Sequence, residues 1–245
     1  MNAARRHGKL DAMVHSEHQR RAYLDALGID VWLPRDAVEP AVEPAAEAGA
    51  GAGANDGAEV AGGDWESLAG QVAACQLCAL AGSRTQTVFG VGHRNADWMI
   101  VGEAPGAEED RRGEPFVGRA GQLLDEMLRA VGLARDSVFI ANILKCRPPN
   151  NRDPKQEEAD ACRDYLNRQI ALIQPKVILA VGRIAAQQLL GRDDPVGRRR
   201  GQRHNVDDIP VVVTYHPAYL LRRPSEKGRA WTDLCLARRV LQEAA

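Results

Sequence analysis

The 245-residue sequence lacks a membrane-length apolar run and a secretory leader, and one long stretch of it has no aromatic residue. No apolar run approaches the roughly 20 residues that a membrane span needs. The N-terminus is charged and lacks the apolar segment of a leader. We therefore expect a soluble, intracellular (cytoplasmic) protein without a membrane partner, in a compartment where structural disulfides are rare.

The stretch without aromatic residues is 37–63, which is nearly all Ala, Gly, Glu, Pro and Val. Such a composition buries too little apolar surface to offset the entropy of ordering, so it predicts a disordered linker. It separates an N-terminal tail, 1–36, from a domain, 64–245. The tail carries an island, 15–35, with Tyr23 and Trp32, and two hypotheses stay open for it: folding back on the domain or binding an unknown protein partner. We expect a monomer.

The formal net charge of −1 hides an asymmetry between the two ends of the chain. Residues 1–63 hold 6 Lys/Arg and 10 Asp/Glu, whereas residues 64–245 hold 26 and 23. Segment 196–229 holds 8 basic and 3 acidic residues. A basic segment of this kind suits a polyanion such as DNA, although a solvated basic face is at least as common.

From residue 64 onward, short apolar segments alternate with helical patterns, which indicates a parallel sheet covered on both faces. Asp153-Pro154 reads as an N-cap followed by a first-turn proline. We expect an α/β fold with a four-stranded parallel sheet flanked by helices on both faces. The predicted strands are 98–101, 137–143, 176–181 and 210–214, and the predicted helices are 65–74, 118–131, 154–173, 183–190 and 227–241.

Polar residues lie at the end of each predicted strand. Asn142 lies within the last turn of its strand, and Glu103, Arg183 and His216 follow theirs, Glu103 in the Gly/Pro turn Gly102-Glu-Ala-Pro-Gly106. Ligands of parallel sheets bind beyond the carboxyl ends of the strands, so these groups should converge on one rim. The alternatives are purely structural: Asn142 caps a turn, His216 is a structural histidine, and the acidic run 108–110 only starts a helix.

Five cysteines in an intracellular protein call for a metal or reactive-thiol explanation. Cys75 and Cys78 form a C-x2-C pair, and Cys146 and Cys162 are spaced along a second segment. Four such thiolates can hold zinc or an iron–sulfur cluster, and the spacing does not decide between them. A thioredoxin-like pair is disfavoured, because this C-x2-C does not end a strand. Cys235 reads as a core residue.

Residues 65–241 closely resemble the family 4 uracil-DNA glycosylases, enzymes with a [4Fe-4S] cluster. The resemblance implies a four-stranded parallel sheet, excision of uracil from DNA and a cluster held by Cys75, Cys78, Cys146 and Cys162. The matching segments are GEAPGAEED (102–110), GEPFVGRAGQLLDEML (113–128), ANILKCRPPNNRDP (141–154), PKVILAVGRIAAQQLLG (175–191) and TYHPAYLLRRP (214–224).

The resemblance also implies roles for individual residues. Phe116 resembles the aromatic that stacks on the flipped-out uracil, and Asn142 the side chain that reads its polar edge. His216 resembles the group that hydrogen-bonds uracil O2 as negative charge builds there. The remaining matches are Glu103, Ala104 and Pro105 as the lining of the base pocket, Glu109 as the catalytic carboxylate that positions or activates water, Asn151 as a supporting polar residue, and Leu220, Leu221 and Arg222 as the loop that enters the duplex.

These side chains suit the reaction. Breaking the C1′–N1 bond leaves positive charge on the sugar and negative charge on uracil, so the site needs a donor at O2 and a carboxylate near the sugar and water. We therefore expect a glycosylase acting on uracil-containing DNA, with Glu109, His216 and Glu103 as catalytic candidates. The alternatives are a non-catalytic nucleic-acid-binding module with structural zinc, and an iron–sulfur electron carrier.

Overall fold

The structure is a computed structural model that describes residues 62–243. The predicted tail and all but the last two residues of the predicted linker lie outside the described residues, so their organisation and partner stay predictions. Among residues 62–243, no helix combines the length and apolarity that crossing a membrane would require.

Residues 62–243 contain a six-stranded sheet with the order β1-β3-β2-β4-β6-β5. Strands β2, β3, β4 and β6 are parallel to their neighbours among these four and form the centre, whereas β1 and β5 pair antiparallel at the two edges. The strands are β1 (Val91–Gly92), β2 (Trp98–Gly102), β3 (Phe139–Asn142), β4 (Val177–Val181), β5 (Arg203–Val206) and β6 (Ile209–Thr214).

The predicted sheet is therefore right at its centre and wrong in its number of strands. Strand β1 has only two residues, and β5 alternates between exposed and half-buried positions with the polar sequence Arg-His-Asn-Val. Neither carries the continuous apolar run that reveals a buried parallel strand, whereas β2 and β4 are buried at every position.

Helices cover both faces of the sheet, as predicted. Met99 and Val101 of β2 face one core with α1, α4 and α5, while Ile100 faces a second core with α3, α7 and α8. The helices are α1 (Gly62–Ala73), α2 (Ala107–Arg112), α3 (Arg119–Ala130), α4 (Gln156–Ile173), α5 (Arg183–Leu190), α6 (Val196–Arg199), α7 (Pro217–Arg222) and α8 (Lys227–Glu243).

Helix α4 begins at Gln156, so the prediction of Asp153-Pro154 as its N-cap and first turn is wrong. Instead, the backbone N–H of Lys155 donates to the Glu158 carboxylate at 2.9 Å, and Arg152 pairs with the same carboxylate at 2.5 Å. The Asp153 carboxylate is paired elsewhere, with Arg183 at the start of α5, at 2.5 Å. This pair ties the loop before α4 to the end of β4.

Candidate active site

The ends of the central strands are held in register beyond the sheet itself. Gly102 of β2 pairs with Asn142 of β3, and the backbone continues with Leu144 N–H donating to Glu103 O at 3.0 Å. On the other side, Gly182 N–H donates to Thr214 O at 2.9 Å, just before His216. The four strand ends therefore form one continuous rim, as the sequence predicts.

Asn142 and Phe116 meet at Gly102. A Cβ atom on Gly102 would clash with Asn142 Oδ1 and would lie 2.6 Å from Phe116 Cζ, so only glycine allows this close approach. Asn142 is 2 % exposed, and its Oδ1 has no hydrogen-bond partner within the described residues. A buried acceptor of this kind is costly unless a ligand satisfies it.

Phe116 also meets His216. Their rings are stacked with centroids 5.6 Å apart and planes 29° apart. Phe116 has φ of 52°, in the left-handed region that bulky residues rarely adopt, and such strain is concentrated at functional sites. Phe116 thus lies beside both Asn142 and His216, and we call the cluster of these three residues the base pocket.

His216 is set as a neutral hydrogen-bond donor. Burial lowers its pKa to about 4, and the Arg222 charge acts in the same direction while Glu109 opposes it. Nδ1 accepts the backbone N–H of Ala218 at 3.1 Å, which caps α7. A neutral ring whose Nδ1 is an acceptor carries its proton on Nε2.

The acidic run 108–110 divides into three different roles. Glu108 is exposed and pairs with Arg111 at 2.6 Å, and Asp110 is buried and accepts from the backbone and hydroxyl of Thr85. Glu109 accepts the backbone N–H groups of Gly106, Val117 and Gly118 at 3.1, 2.9 and 3.1 Å. Of the three, Glu109 therefore joins the Glu103 loop to the Phe116 loop.

Glu103 lies half-buried on the rim. Burial, and to a lesser extent the charge of Asp153, raise the pKa of its carboxyl to about 7 against the opposing charge of Arg183. In the same loop, Ala104 packs against the core that Met99 and Val101 face, and Pro105 is buried. The loop therefore holds Glu103 beside the Asp153–Arg183 pair.

The predicted DNA-contacting residues do not behave alike. Leu220 is 1 % exposed and belongs to the core with α3 and α8, so its prediction as a DNA-contacting side chain is wrong for this conformation. Its apolar side chain faces inward because α7 packs on α3. Leu221, 38 % exposed, and Arg222 face outward. Asn151 is exposed, and its Oδ1 accepts from Arg147 Nε at 2.7 Å rather than facing a buried pocket.

Sequence reasoning missed the support behind His216. The Tyr215 and Tyr219 rings lie 5.0 Å apart, and the guanidinium of Arg200 lies 5.7 Å from the Tyr215 ring centre. Arg200 is held in turn by the fully buried Asp233, with contacts of 2.9 and 3.0 Å. The basic segment 196–229 indicated that this region is positively charged, but the pairing of Arg200 with Asp233 is apparent only from the structure.

The four predicted metal ligands share one core. Cys146 and Cys162 are buried in the core that Met99 and Val101 face. Cys75 and Cys78 are half-buried and pack against the same core. Burial raises the pKa of Cys146, and neighbouring Cys78 and Cys75 also raise it, while Arg84 donates to its sulfur at 3.1 Å and opposes the shift. Cys235 is half-buried rather than fully buried, which corrects its prediction as a core residue.

Within residues 62–243, no group of three or more His, Cys, Asp or Glu side chains is arranged to hold one metal ion. Lys145, next to Cys146, is also buried; burial lowers its pKa to about 7, against the influence of Cys162. The thiols are thus electrostatic neighbours of one another and of the buried Lys145 side chain.

A cavity of about 610 Å³ lies elsewhere, between α4, α5 and the β5–β6 hairpin. Its lining includes Leu166, Ile178 and Ile209, and it includes none of the base-pocket side chains. The base pocket is the better candidate site, because it combines an orphaned amide oxygen, an imidazole donor and a strained aromatic residue.

Comparison with known proteins identifies the family of this chain. The model of the uracil DNA glycosylase superfamily matches residues 89–237. A type-4 uracil-DNA glycosylase of Archaeoglobus fulgidus is 46% identical over 171 residues, which cover 66% of this chain and 86% of that protein. Similar proteins of the same description occur in Pyrobaculum aerophilum (43% identical; 66% of this chain, 87% of the relative) and Thermotoga maritima (44%; 67% and 86%). The chain therefore belongs to the uracil-DNA glycosylase superfamily and, within it, to the type-4 family.

Proposed function

We propose that the protein is a DNA repair enzyme that extrudes uracil from DNA and hydrolyses its N-glycosidic bond, leaving an abasic site. The observation that carries this proposal is the base pocket itself. It brings together a buried carboxamide, an aromatic ring and a neutral imidazole donor. Extrusion from a duplex costs a few kcal/mol, which a single-stranded substrate avoids.

Asn142 reads the base. Its orphaned Oδ1 accepts uracil N3–H, and its amide N–H donates to uracil O4. Cytosine presents an amino group and an unprotonated N3 at these positions, so donors would face donors and the acceptor would lose its partner. A site built on paired hydrogen bonds rejects such a mismatch strongly. Phe116 stacks on the face of the base.

His216 stabilises the departing base. As the glycosidic bond breaks, negative charge develops on uracil O2, and Nε2–H of His216 donates to it. A neutral donor is compatible with the low pKa that burial imposes on this ring. Because Ala218 holds Nδ1, the donor is oriented before the substrate arrives.

Glu103 and Glu109 divide the carboxylate work. Glu109, which the resemblance predicts to position or activate water, accepts from three backbone donors and also holds the two pocket loops together. Glu103, with a pKa raised to about 7, is suited to accept a proton from the attacking water near neutral pH. Ala104 and Pro105 complete the pocket wall, and Asn151 supports the loop after Cys146. On the DNA side, Leu221 fills the space of the extruded nucleotide and Arg222 contacts phosphate.

The cysteine set suits a [4Fe-4S] cluster. Four cysteines share one core, and a guanidinium donates to one of the sulfurs, as suits a centre that carries negative charge. In the proposal Cys75, Cys78, Cys146 and Cys162 hold the cluster. When bound, it supplies a structural cross-link between the C-x2-C segment, the end of β3 and α4, since the glycosylase reaction needs no electron.

The test is release of free uracil from a uracil-containing oligonucleotide, followed by chromatography. We expect the parent protein to release uracil and leave the matched cytosine oligonucleotide intact. Asn142→Leu should reduce release about 10- to 100-fold, the value of a lost buried hydrogen-bond pair. No release by a folded, iron-loaded parent protein would support the rival hypothesis of a non-catalytic nucleic-acid-binding module.

A further inference from the structure

Lys145 is a fully buried cation that the proposed reaction does not use. It is 1 % exposed, and its ammonium donates to Asn142 O at 2.9 Å and to Gln169 Oε1 at 2.6 Å. Gln169 is itself buried and donates onward to Phe89 O at 2.9 Å. A polar chain therefore runs from α4 through Lys145 to the last residue of β3.

The charge of Lys145 has no matching carboxylate. Within residues 62–243, no Asp or Glu oxygen lies within 4.0 Å of its Nζ atom, and both of its acceptors are neutral. By contrast, the two most buried carboxylates, Glu158 and Asp233, each have an arginine partner. Burying an ammonium without a counter-charge is unfavourable, so an anion beside Lys145 would stabilise its charged form.

The groups that can supply that anion are the cysteines. Lys145 directly precedes Cys146 in the chain, and its backbone N–H donates to the sulfur of Cys162. The Cys162 thiol is its electrostatic neighbour. Four thiolates carry more negative charge than an oxidised four-iron core carries positive charge, so the loaded centre is an anion.

We propose that Lys145 is a positioning residue that acts as the internal counter-ion of the cluster. Through its hydrogen bond to the Asn142 carbonyl, it also anchors the base-reading Asn142 to the cluster. The inference rests on the proposed [4Fe-4S] cluster. Its consequence is a direct link between the two sites: the cluster's negative charge holds the ammonium, and the ammonium fixes the strand end that carries the amide. Arg84, which donates to Cys146, is a second cation at the centre that makes no contact with Asn142.

The test uses the full-length, cluster-loaded protein and measures two quantities: the reduction potential of the cluster and the dissociation constant for free uracil. Lys145→Met removes the charge and the donor while keeping the length of the side chain. We expect a more negative potential, since the reduced cluster loses a neighbouring cation, and about three- to tenfold weaker uracil binding, the value of one hydrogen bond. Arg84→Gln should move the potential in the same direction and leave uracil binding unchanged.

The sign of the potential shift separates this role from simple loosening of the site. Water entering a loosened site stabilises the more highly charged reduced cluster and moves the potential upward, whereas loss of a cation moves it downward. Gln169→Glu serves if Lys145→Met does not fold, because it leaves the lysine in place and neutralises it with an isosteric carboxylate. It too should lower the potential.

The matched control is Lys176→Met, which removes a lysine whose side chain is 48% exposed and pairs with Asp97 at the surface. It should change neither quantity. An unchanged or raised potential in Lys145→Met, or in Gln169→Glu if the first does not fold, overturns the inference while leaving the glycosylase proposal intact. A parent protein that releases uracil but contains no iron overturns both the cluster and this inference.

Discussion

Ala218 donates its backbone N–H to Nδ1 of His216 at 3.1 Å, two residues along the chain. This one hydrogen bond caps α7 and also fixes the tautomer of the ring that faces Phe116. Helix capping and the orientation of the proposed donor are therefore the same interaction. A substitution that keeps the cap but removes the donor can separate the two roles.

His216→Asn is that substitution, because Asn is a good N-cap that can accept from Ala218. We expect uracil excision to fall about 10²- to 10³-fold, the cost of losing one preorganised donor, with the fold retained. Single-turnover rates at neutral pH and circular dichroism measure the two effects. A variant that folds and retains the parent rate would remove His216 from the mechanism.

The same variant should change how stability depends on pH. His216 has a folded pKa of about 4, below the ordinary value of 6.5, so the unfolded chain takes up the proton first. Its contribution is fully present above pH 6.5 and is lost as pH falls toward 4, by roughly 3 kcal/mol. Urea unfolding at pH 7 and pH 4.5 should show a smaller loss in His216→Asn than in the parent protein.

Glu103 should govern the acid limb of the rate profile. Its carboxyl is raised to a pKa of about 7 by burial and then by Asp153, so the active carboxylate form is lost as pH falls through neutrality. Asp153→Asn should move that limb to lower pH, and Arg183→Gln should move it to higher pH. Glu103→Gln should remove the limb and reduce kcat about 10²-fold or more.

The control for this profile is Glu157→Gln, which removes an exposed carboxylate from the same region. Its profile should overlay that of the parent protein. If all four variants share the parent acid limb, another group is responsible for it. That outcome would return the water-activating role to Glu109, whose carboxylate is held by three backbone N–H groups.

The central sheet could be predicted because parallel strands are buried on both faces and therefore read as apolar runs, such as Trp98–Gly102. The edge strands could not, since β5 has the polar sequence of a surface loop and owes its conformation to pairing with β6. The start of α4 was misplaced for a similar reason: Asp153 has the right residue type for a cap, but an arginine from a distant segment binds it.

The candidate site, like the fold, could be predicted from the sequence only in part. Strand-end positions follow from topology, so Glu103, Asn142 and His216 could be placed on one rim from the sequence. Residues that act through another side chain left no pattern: the burial of Leu220, the Arg200–Asp233 pair and the acceptors of Lys145 depend on packing between segments far apart in the chain.

Gly102→Ala should close the base pocket. The added methyl group would clash with Asn142 Oδ1 and crowd Phe116 Cζ, and overpacking in a rigid interior costs about 1–3 kcal/mol. Uracil release should fall together with the free energy of unfolding. The control is Gly70→Ala in α1, where nothing lies within 4 Å and helix propensity favours alanine, so activity should persist with a gain of about 0.5–1 kcal/mol. Equal activity in both variants would contradict the proposed pocket.

Leu221 should matter for duplex DNA more than for single strands. It is one of two large apolar side chains exposed among residues 62–243, and it lies in the last turn of α7, the helix that His216 caps. If it fills the gap left by an extruded nucleotide, Leu221→Ala lowers the rate on duplex uracil substrates about tenfold, while single-stranded substrates, which need no unpairing, are cleaved at nearly the parent rate. The other exposed leucine, Leu77, lies between Cys75 and Cys78, and Leu77→Ala provides the matched loss of surface apolar area. An equal loss on both substrates in Leu221→Ala would mean that the side chain supports α7 rather than entering the duplex.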